Sequence, residues 1–268
     1  MTAVLAAAEW GGEFEGALDP INALFRFPPI FELSLFGVDL SINRTILIAW
    51  FMTFVAGLLF VVAFRNPGVV PSRMQAVGEA VIDFIRQLAI DIIGPKGVRF
   101  VPLLTTLFVF IFFMNVAKIT PFLMLPPTSR IAWPLFLAAI SWLVFVGVGI
   151  KEQGLVAYFK ELAFPPGVPW FLYIILTPIE LVSNLVLRPL TLMVRLFANM
   201  VAGHILVVIT LVTIHVFLFP RPGLPVGILA LIISPLVFGF ELFIITLQAY
   251  IFTMLTAVYI SSSMEPAH

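Results

Sequence analysis

The sequence contains no cysteine and few charged residues. Of its 268 residues, 10% are Asp, Glu, Lys or Arg, against roughly a quarter in ordinary soluble domains. Without cysteine, the chain has no disulfide framework, thiol nucleophile or cysteine-based metal site. The net charge of zero provides no basic surface for nucleic acid. Neither GxxxxGK[S/T] nor GxGxxG occurs, which excludes nucleotide binding through those loops. We expect no cofactor and no metal ion.

Hydrophobic runs fill most of the sequence. Hydrophobic residues make up 62% of the chain, and its mean hydropathy is +1.15, which is incompatible with a water-soluble globule. The apolar stretches long enough to cross a hydrocarbon core of about 30 Å are 46–64, 101–117, 131–150, 170–219 and 226–260. The predicted fold is therefore an all-α integral membrane protein with about five membrane-embedded helices.

The segments outside these runs differ in character. Residues 1–40 begin with an acidic stretch that lacks the positive start of a signal peptide, which predicts an extramembrane N-terminal segment. A membrane domain is predicted over residues 41–262, followed by a C-terminal tail over 263–268. Residues 69–100 interleave charged with apolar residues, a pattern typical of an amphipathic helix at the membrane interface.

The last two hydrophobic runs are too long for upright helices. As one helix, residues 176–219 would be about 66 Å long, roughly twice the hydrocarbon thickness. The run therefore either breaks, at Pro178 or Pro189, or forms a steeply tilted helix. A turn rich in Pro and Gly at 220–225 joins it to the final helix. This arrangement predicts a long, steeply tilted antiparallel hairpin.

Polar residues occupy defined faces of this hairpin. At 100° per residue, one stripe about 100° wide contains Glu180, Asn184, Arg188, Thr191, Arg195 and Asn199. In the final helix, Ser234, Glu241 and Gln248 recur every seven residues on one face. In an antiparallel hairpin, residues at equal distances from the turn lie opposite each other. With the turn centred between residues 222 and 223, this reflection places His204 opposite Glu241.

Arg195 stands out because it lies far from either end of its run. An unpaired arginine at the bilayer centre costs from about 3 to more than 10 kcal/mol, and a guanidinium does not lose its proton in proteins. No carboxylate of the chain falls at its level of the predicted hairpin. We therefore expect its counter-ion to come from another subunit.

Several of the other polar residues have structural alternatives. Arg188 could reach the interface by extending its side chain, and Glu180 could be an ordinary solvated helix end. His204 and Glu241 could form a purely structural buried pair. Asn115 could serve only as a hydrogen-bonding contact between helices.

Two stretches of the hairpin resemble subunit a of the membrane sector of F-type ATP synthases. They are "PLTLMVRLFANMVAGHILVVI" and "ELFIITLQAYIFTMLTAVYIS", and the resemblance extends over about residues 40–262. It implies a non-catalytic stator subunit beside a rotating ring of c subunits, with b-type peripheral stalk subunits and the rest of the complex as partners. The family's essential arginine matches Arg195. Its accompanying polar positions match Asn199, His204, Glu241 and Gln248, and its acid on the inner side matches Glu180.

The resemblance also implies a mechanism. A c-subunit carboxylate releases its proton near Arg195 into one half-channel, and the next c subunit takes up a proton from the other. His204 and Glu241 suit the outer relay, and Glu180, Ser183 and Asn184 suit the inner exit. Some family members carry carboxylates near the end of the second crossing, where this chain has "NVAKITP". Asn115 fits that pattern, whereas Lys118 has the opposite charge.

Two other function classes remain as alternatives. A proton-coupled secondary permease would be expected to have corresponding halves with broken helices, and the sequence contains no such repeat. A structural scaffold would not need charged residues on facing stripes. The coupling ion is either H⁺ or Na⁺, and we assume the proton. Seven basic residues on one side against five on the other favour an outer N-terminus and an inner C-terminus, in an energy-transducing membrane such as the bacterial plasma membrane.

Overall fold

The computed structural model describes residues 29–31, 34–35, 38–39, 42–120, 123–164, 169, 172–218 and 223–264. The helices in these residues are α1 (Arg44–Phe64), α2 (Arg73–Ile93), α3 (Val101–Val116), α4 (Ala132–Gln153), α5 (Leu155–Ala163), α6 (Tyr173–Val182), α7 (Arg188–Leu218) and α8 (Leu224–Met264). Short 3₁₀ segments cover Pro95–Phe100 and Pro127–Ser129, and a π turn covers Ser183–Leu187. The prediction of an all-α protein is confirmed.

Short strands precede the first helix. Strand β1 (Pro29–Phe31) pairs antiparallel with β4 (Ile42–Asn43), and β2 (Ser34–Leu35) pairs with β3 (Val38–Asp39). Strand β4 leads directly into α1, where the first apolar run begins. The predicted boundary between an extramembrane segment and a membrane domain near residue 40 stays a prediction.

Five helical segments of the described chain are long and apolar enough to cross a membrane. They are Arg44–Phe64, Pro95–Val116, Ala132–Gln153, Tyr173–Leu218 and Leu224–Met264. The chain is therefore an integral, multi-pass membrane protein. The last two segments contain 46 and 41 residues, which correspond to about 69 and 62 Å at 1.5 Å per residue. Helices of that length fit a hydrocarbon core of about 30 Å only when they tilt steeply or extend beyond it.

The 46-residue run is continuous at both prolines, so neither Pro178 nor Pro189 breaks it. Pro178 lies inside α6, whereas Pro189 is the second residue of α7, which directly follows the π turn. Proline has no N–H group, and its ring clashes with the carbonyl four residues earlier. The wider π turn meets this constraint, because the Arg188 N–H bonds the carbonyl of Ser183, five residues earlier.

The π turn also corrects the predicted polar stripe. Because it contains one residue more than an α turn, it rotates the faces before and after it by about 100°. The uninterrupted pattern placed Asn184 and Arg195 about 20° apart. In the structure, Asn184 is buried and Arg195 is exposed. The exposed part of the stripe therefore contains Thr191, Arg195 and Asn199.

Helix α2 has the predicted amphipathic character. Its N-terminus is capped by Ser72, whose hydroxyl accepts a hydrogen bond from the Gln75 N–H at 3.3 Å. Its buried residues recur at helical spacing and are Gln75, Gly78, Ile85 and Ala89. The charged residues on its other faces explain why α2 is not among the five candidate spans.

The chain forms two compact units. The first contains residues 1–52, 114–129 and 199–246. In this unit, the end of α7 packs closely on the start of α8, since a Cβ on Gly227 would lie 2.5 Å from the Leu218 nitrogen and 2.6 Å from the Phe217 carbonyl carbon. Leu218 and Gly227 are nearly equidistant from the turn, as an antiparallel hairpin requires. The turn residues 219–222 lie outside the described residues.

The second unit contains residues 53–113, 130–198 and 247–268. One apolar cluster in it joins α2 and α3 to α8 through Ile85, Ala89, Val101, Leu104 and Ala257. Polar contacts add to this packing. The Ser141 and Thr256 hydroxyls hydrogen-bond at 3.0 Å between α4 and α8, and Arg99 forms a 2.7 Å ion pair with Glu152 at the end of α4.

Candidate functional site

Within the first unit, the Glu241 carboxylate lies directly against the backbone of α7. A Cβ on Gly203 would lie 2.6 and 2.7 Å from its two carboxylate oxygens. Such distances are too short for a real Cβ, so a side chain at residue 203 would force the end of Glu241 to move. Glu241 thus contacts Gly203, one residue from the predicted position at His204. This contact and the Gly227 contact agree with the reflection about the turn.

Lys118 is the ion-pair partner of Glu241. It follows α3 in a tight turn, in which the Lys118 N–H donates to the Asn115 carbonyl at 3.1 Å. Its ammonium donates a hydrogen bond to Glu241 Oε2, and the two side chains are 0% and 2% exposed. Burial lowers the pKa of Lys118, whereas the hydrogen bond and charge of Glu241 oppose that effect. The Glu241 carboxylate therefore stabilises the charged form of the Lys118 amine.

His204 lies close to this pair without joining it. Its side chain is buried, and neither ring nitrogen has a hydrogen-bond partner among the described residues. Unpaired buried polar groups are rare in native proteins. A neutral imidazole here therefore has one nitrogen that can accept a proton and one N–H that can donate to a water molecule. The structure brings His204 and Glu241 into one cluster but makes Lys118, not His204, the hydrogen-bond partner of Glu241.

Sequence reasoning identified Lys118 only as a departure from the family pattern. The signal that could have found its role was the unusual charge itself, since a buried lysine requires a partner and Glu241 is a nearby intramembrane acid. Asn115, predicted to line the outer path, is buried as well. Its Oδ1 accepts a hydrogen bond from the Thr128 hydroxyl at 2.6 Å, which ties the end of α3 to the 3₁₀ segment at 127–129.

In the second unit, Glu180 and Asn184 contact each other. The Asn184 amide donates to the Glu180 carboxylate at 3.0 Å and to the Glu180 carbonyl at 2.9 Å. Ser183 begins the π turn, which also contains Asn184. Asn184 is buried and Glu180 is partly exposed. The structure thus gathers the three residues predicted for the inner exit into one short segment.

Arg188 is held within the protein and does not depend on the membrane interface. Its Nη1 donates to the Ser262 hydroxyl at 3.1 Å, and its guanidinium lies 5.2 Å from the centre of the Tyr259 ring. These contacts anchor the start of α7 on the end of α8. Extension to the interface, the alternative considered from the sequence, is not needed to satisfy its charge.

Arg195 has a different environment. It lies at the middle of the 46-residue run Tyr173–Leu218, and its side chain is exposed on the chain surface. Within the described part of the chain, no residue forms a hydrogen bond or ion pair with it. Gln248 is buried in the same unit, whereas Asn199 is exposed in the first unit.

The described residues contain no cluster of three or more His, Asp or Glu side chains that could hold a metal ion. Two charged features stand out among them: the buried ion pair of Lys118 with Glu241 and the exposed Arg195. These features define a class: multi-pass helical membrane proteins with charged side chains inside the membrane.

Comparison with known proteins narrows this class. Residues 46–261 match the family described as ATP synthase A chain. The chain is similar to ATP synthase subunit a of Frankia alni, with 39% identity over 93% of this chain and 87% of the relative. It is also similar to the subunits a of Rhodococcus erythropolis, with 42% identity over 89% and 88%, and of a Parafrankia strain, with 41% over 98% and 88%.

The chain therefore belongs to the ATP synthase A chain family. It is a stator subunit and a proton-translocating component of the membrane sector, as the resemblance predicted, and not the subunit that forms ATP. Membership of the F-type ATP synthase complex follows from the same comparisons.

Proposed function

We propose that Arg195 faces the ionisable carboxylate of a rotating c subunit and separates two proton half-channels. The observation that carries this proposal is the exposed guanidinium at the middle of a 46-residue membrane helix. Its exposed neighbours Thr191, Val194 and Asn199 are uncharged, so they supply no compensating charge. A permanent charge on such a surface needs a carboxylate from another subunit. Substitution of Arg195 tests the proposal and is argued in the Discussion.

The proposed cycle depends on where a buried carboxylate can ionise. Facing lipid, the c-subunit carboxyl group is neutral, because ionisation there is strongly disfavoured. Near the Arg195 guanidinium the charged form becomes favourable, and the proton leaves into one half-channel. A fixed cation between the two half-channels blocks direct proton flow. Each transferred proton therefore requires the ring to rotate.

The polar residues of the two units suit the two half-channels. Lys118, His204 and Glu241 form a buried polar cluster, which suits an outer relay. Asn115, Asn199 and Gln248 are the other residues proposed for this path. Glu180 is partly exposed at the other end of the run and bonded to Asn184. It suits, with Ser183, an exit through which protons reach water.

Orientation and partners are part of the proposal. The excess of basic residues in the predicted inner loops supports an outer N-terminus and an inner C-terminus. Relatives from bacteria support location in the plasma membrane. The c-subunit ring and b-type stalk subunits are the proposed neighbours, with the proton as coupling ion. A proton-coupled permease is the less favoured alternative, because such proteins usually contain related halves.

Glu180→Gln is expected to slow proton release without uncoupling the complex. A negative charge at a channel mouth concentrates protons, and water partly replaces it, so we expect a flux decrease of roughly tenfold or less. Proton flux is measured in liposomes containing the complete complex, over a range of inner pH. Glu79→Gln, a carboxylate of α2 that bonds Gln75, is the matched control. Unchanged flux and pH dependence in Glu180→Gln would make this residue an ordinary helix end.

The hairpin register predicts that cysteines at His204 and Glu241 can be crosslinked. The chain has no native cysteine, so this pair has no background within the subunit. Because disulfides require Cα atoms within about 7 Å, oxidation or a short bifunctional reagent is applied to the assembled complex. Ser234→Cys paired with His204→Cys is the control, since Ser234 lies about 10 Å from Glu241 along the same face of α8. Preferential crosslinking of the control pair would overturn the register.

A further inference from the structure

The cluster of Lys118, His204 and Glu241 contains a lysine to which the proposed cycle gives no step of its own. Lys118 is fully buried, and its ammonium is bonded to the acid proposed to relay protons. We propose that Lys118 is a positioning residue of the outer half-channel: it holds the Glu241 carboxylate ionised against Gly203 and thereby sets the outer pH at which Glu241 takes up a proton. This inference rests on the proposed function.

Burial gives the pair its strength. Both side chains are almost completely removed from solvent, so their attraction is weakly screened and either charge alone is costly. Gly203 leaves no space for a side chain between α7 and the pair. The ionised carboxylate is therefore confined to one position, with its Oε2 directed at Lys118.

The charged and titratable groups around Glu241 are few. Among the described residues, the two charged groups in direct contact here are Lys118, from the turn after α3, and Glu241 itself, on α8. On α7, the His204 imidazole interacts electrostatically with Lys118. The ion pair itself defines the resting state: a carboxylate on Glu241 and an ammonium on Lys118.

Proton uptake then requires the ion pair to open. When a proton arrives from the outer side, an O–H bond forms on Glu241, and Lys118 keeps its own proton but loses its counter-ion. When that proton leaves Glu241 for the next acceptor, the O–H bond breaks and the ion pair forms again. Lys118 therefore favours delivery of the proton over its retention, and it carries no proton itself.

Lys118→Met is expected to move the outer-pH midpoint of proton flux to higher pH. Without the ammonium, the buried carboxyl group is easier to protonate, and loss of an opposite charge shifts such a group by about one to three pH units. The measurement is proton flux against outer pH in liposomes containing the complete complex, with assembly checked on native gels. Lys118→Arg keeps the charge and is expected to retain a midpoint near that of the wild type.

Gly203→Ala tests the positioning without removing either charge. Its Cβ displaces the flexible ends of Lys118 and Glu241, so the midpoint is expected to move in the same direction by a smaller amount. Gly147→Ala is the control, since Gly147 is also helical and a Cβ there meets nothing within 4 Å. A wild-type midpoint in Lys118→Met overturns the inference. If that variant does not assemble, a wild-type midpoint in Gly203→Ala overturns it.

The failure of this inference is distinguishable from failure of the proposed function. If the double variant Lys118→Met/Glu241→Gln assembles without flux while Lys118→Met leaves the midpoint unchanged, Glu241 is on the path and Lys118 does not set the pH of its proton uptake. If Glu241→Gln retains flux, the proposed outer relay is wrong, and the role inferred for Lys118 is wrong with it.

Discussion

Arg195→Ala is expected to abolish proton-driven ATP synthesis while leaving the complex assembled. The guanidinium is exposed on the chain surface and has no partner among the described residues, so its removal breaks no internal contact. Without it, nothing favours ionisation of a c-subunit carboxylate at that level, and protons can pass directly between the half-channels. Synthesis is measured in inverted vesicles, and assembly is checked on native gels.

The identity of the cation also matters at this position. Arg195→Lys is expected to fail as well, because a lysine in a dry site can lose its proton whereas arginine cannot. Arg86→Ala is a suitable control. Arg86 is an exposed arginine of α2 whose 3.8 Å pair with Asp83 is a surface contact, worth about 1 kcal/mol or less. Synthesis at the wild-type level in Arg195→Ala would remove the arginine from the mechanism.

Much of the fold was predictable because a bilayer restricts what a chain can do. Backbone polar groups must be satisfied internally in lipid, so a long apolar run that crosses it as a single segment must be helical. The run predicted at 46–64 became α1 (Arg44–Phe64), and the run at 131–150 became α4 (Ala132–Gln153). The hairpin register was also predictable. Reflection about one turn requires only two regular helices.

Local backbone geometry limited the prediction of the polar stripe. An α-helical wheel assumes 3.6 residues per turn throughout. The π turn at Ser183–Leu187 adds a residue and rotates Asn184 inward, away from the face of Arg195. Pro189 indicated a disturbance near this point. It could not indicate whether the helix would break, kink or widen, because each of these accommodates a proline that has no N–H group.

The Lys118–Glu241 pair was missed for a different reason. The two residues are 123 positions apart, and periodicity reports only on the faces of one helix at a time. Reflection about a turn relates α7 to α8, but nothing comparable relates either of them to the end of α3. Lys118 joins the cluster through packing between elements that are distant in sequence. Patterns within one amino-acid sequence do not report such packing.

Glu241→Gln separates the two roles that a buried acid in this cluster can have. The substitution keeps the shape of the side chain but leaves Lys118 as an uncompensated buried charge, which typically costs about 3–5 kcal/mol. We therefore expect both lower thermal stability of the assembled complex and loss of proton flux. The single variant alone does not distinguish a proton carrier from a structural partner, because either role predicts both losses.

The double variant Lys118→Met/Glu241→Gln makes that distinction. Removing both charges of a buried ion pair leaves no uncompensated charge behind, so thermal stability is expected to return toward the wild-type level. Flux is expected to stay absent, because an amide cannot take up and release a proton as a carboxylate does. Thermal unfolding of the complex and proton flux in liposomes are measured on the same preparations. Recovery of both stability and flux would mean that Glu241 serves only as the ion-pair partner of Lys118. Protons would then reach the ring without passing through Glu241.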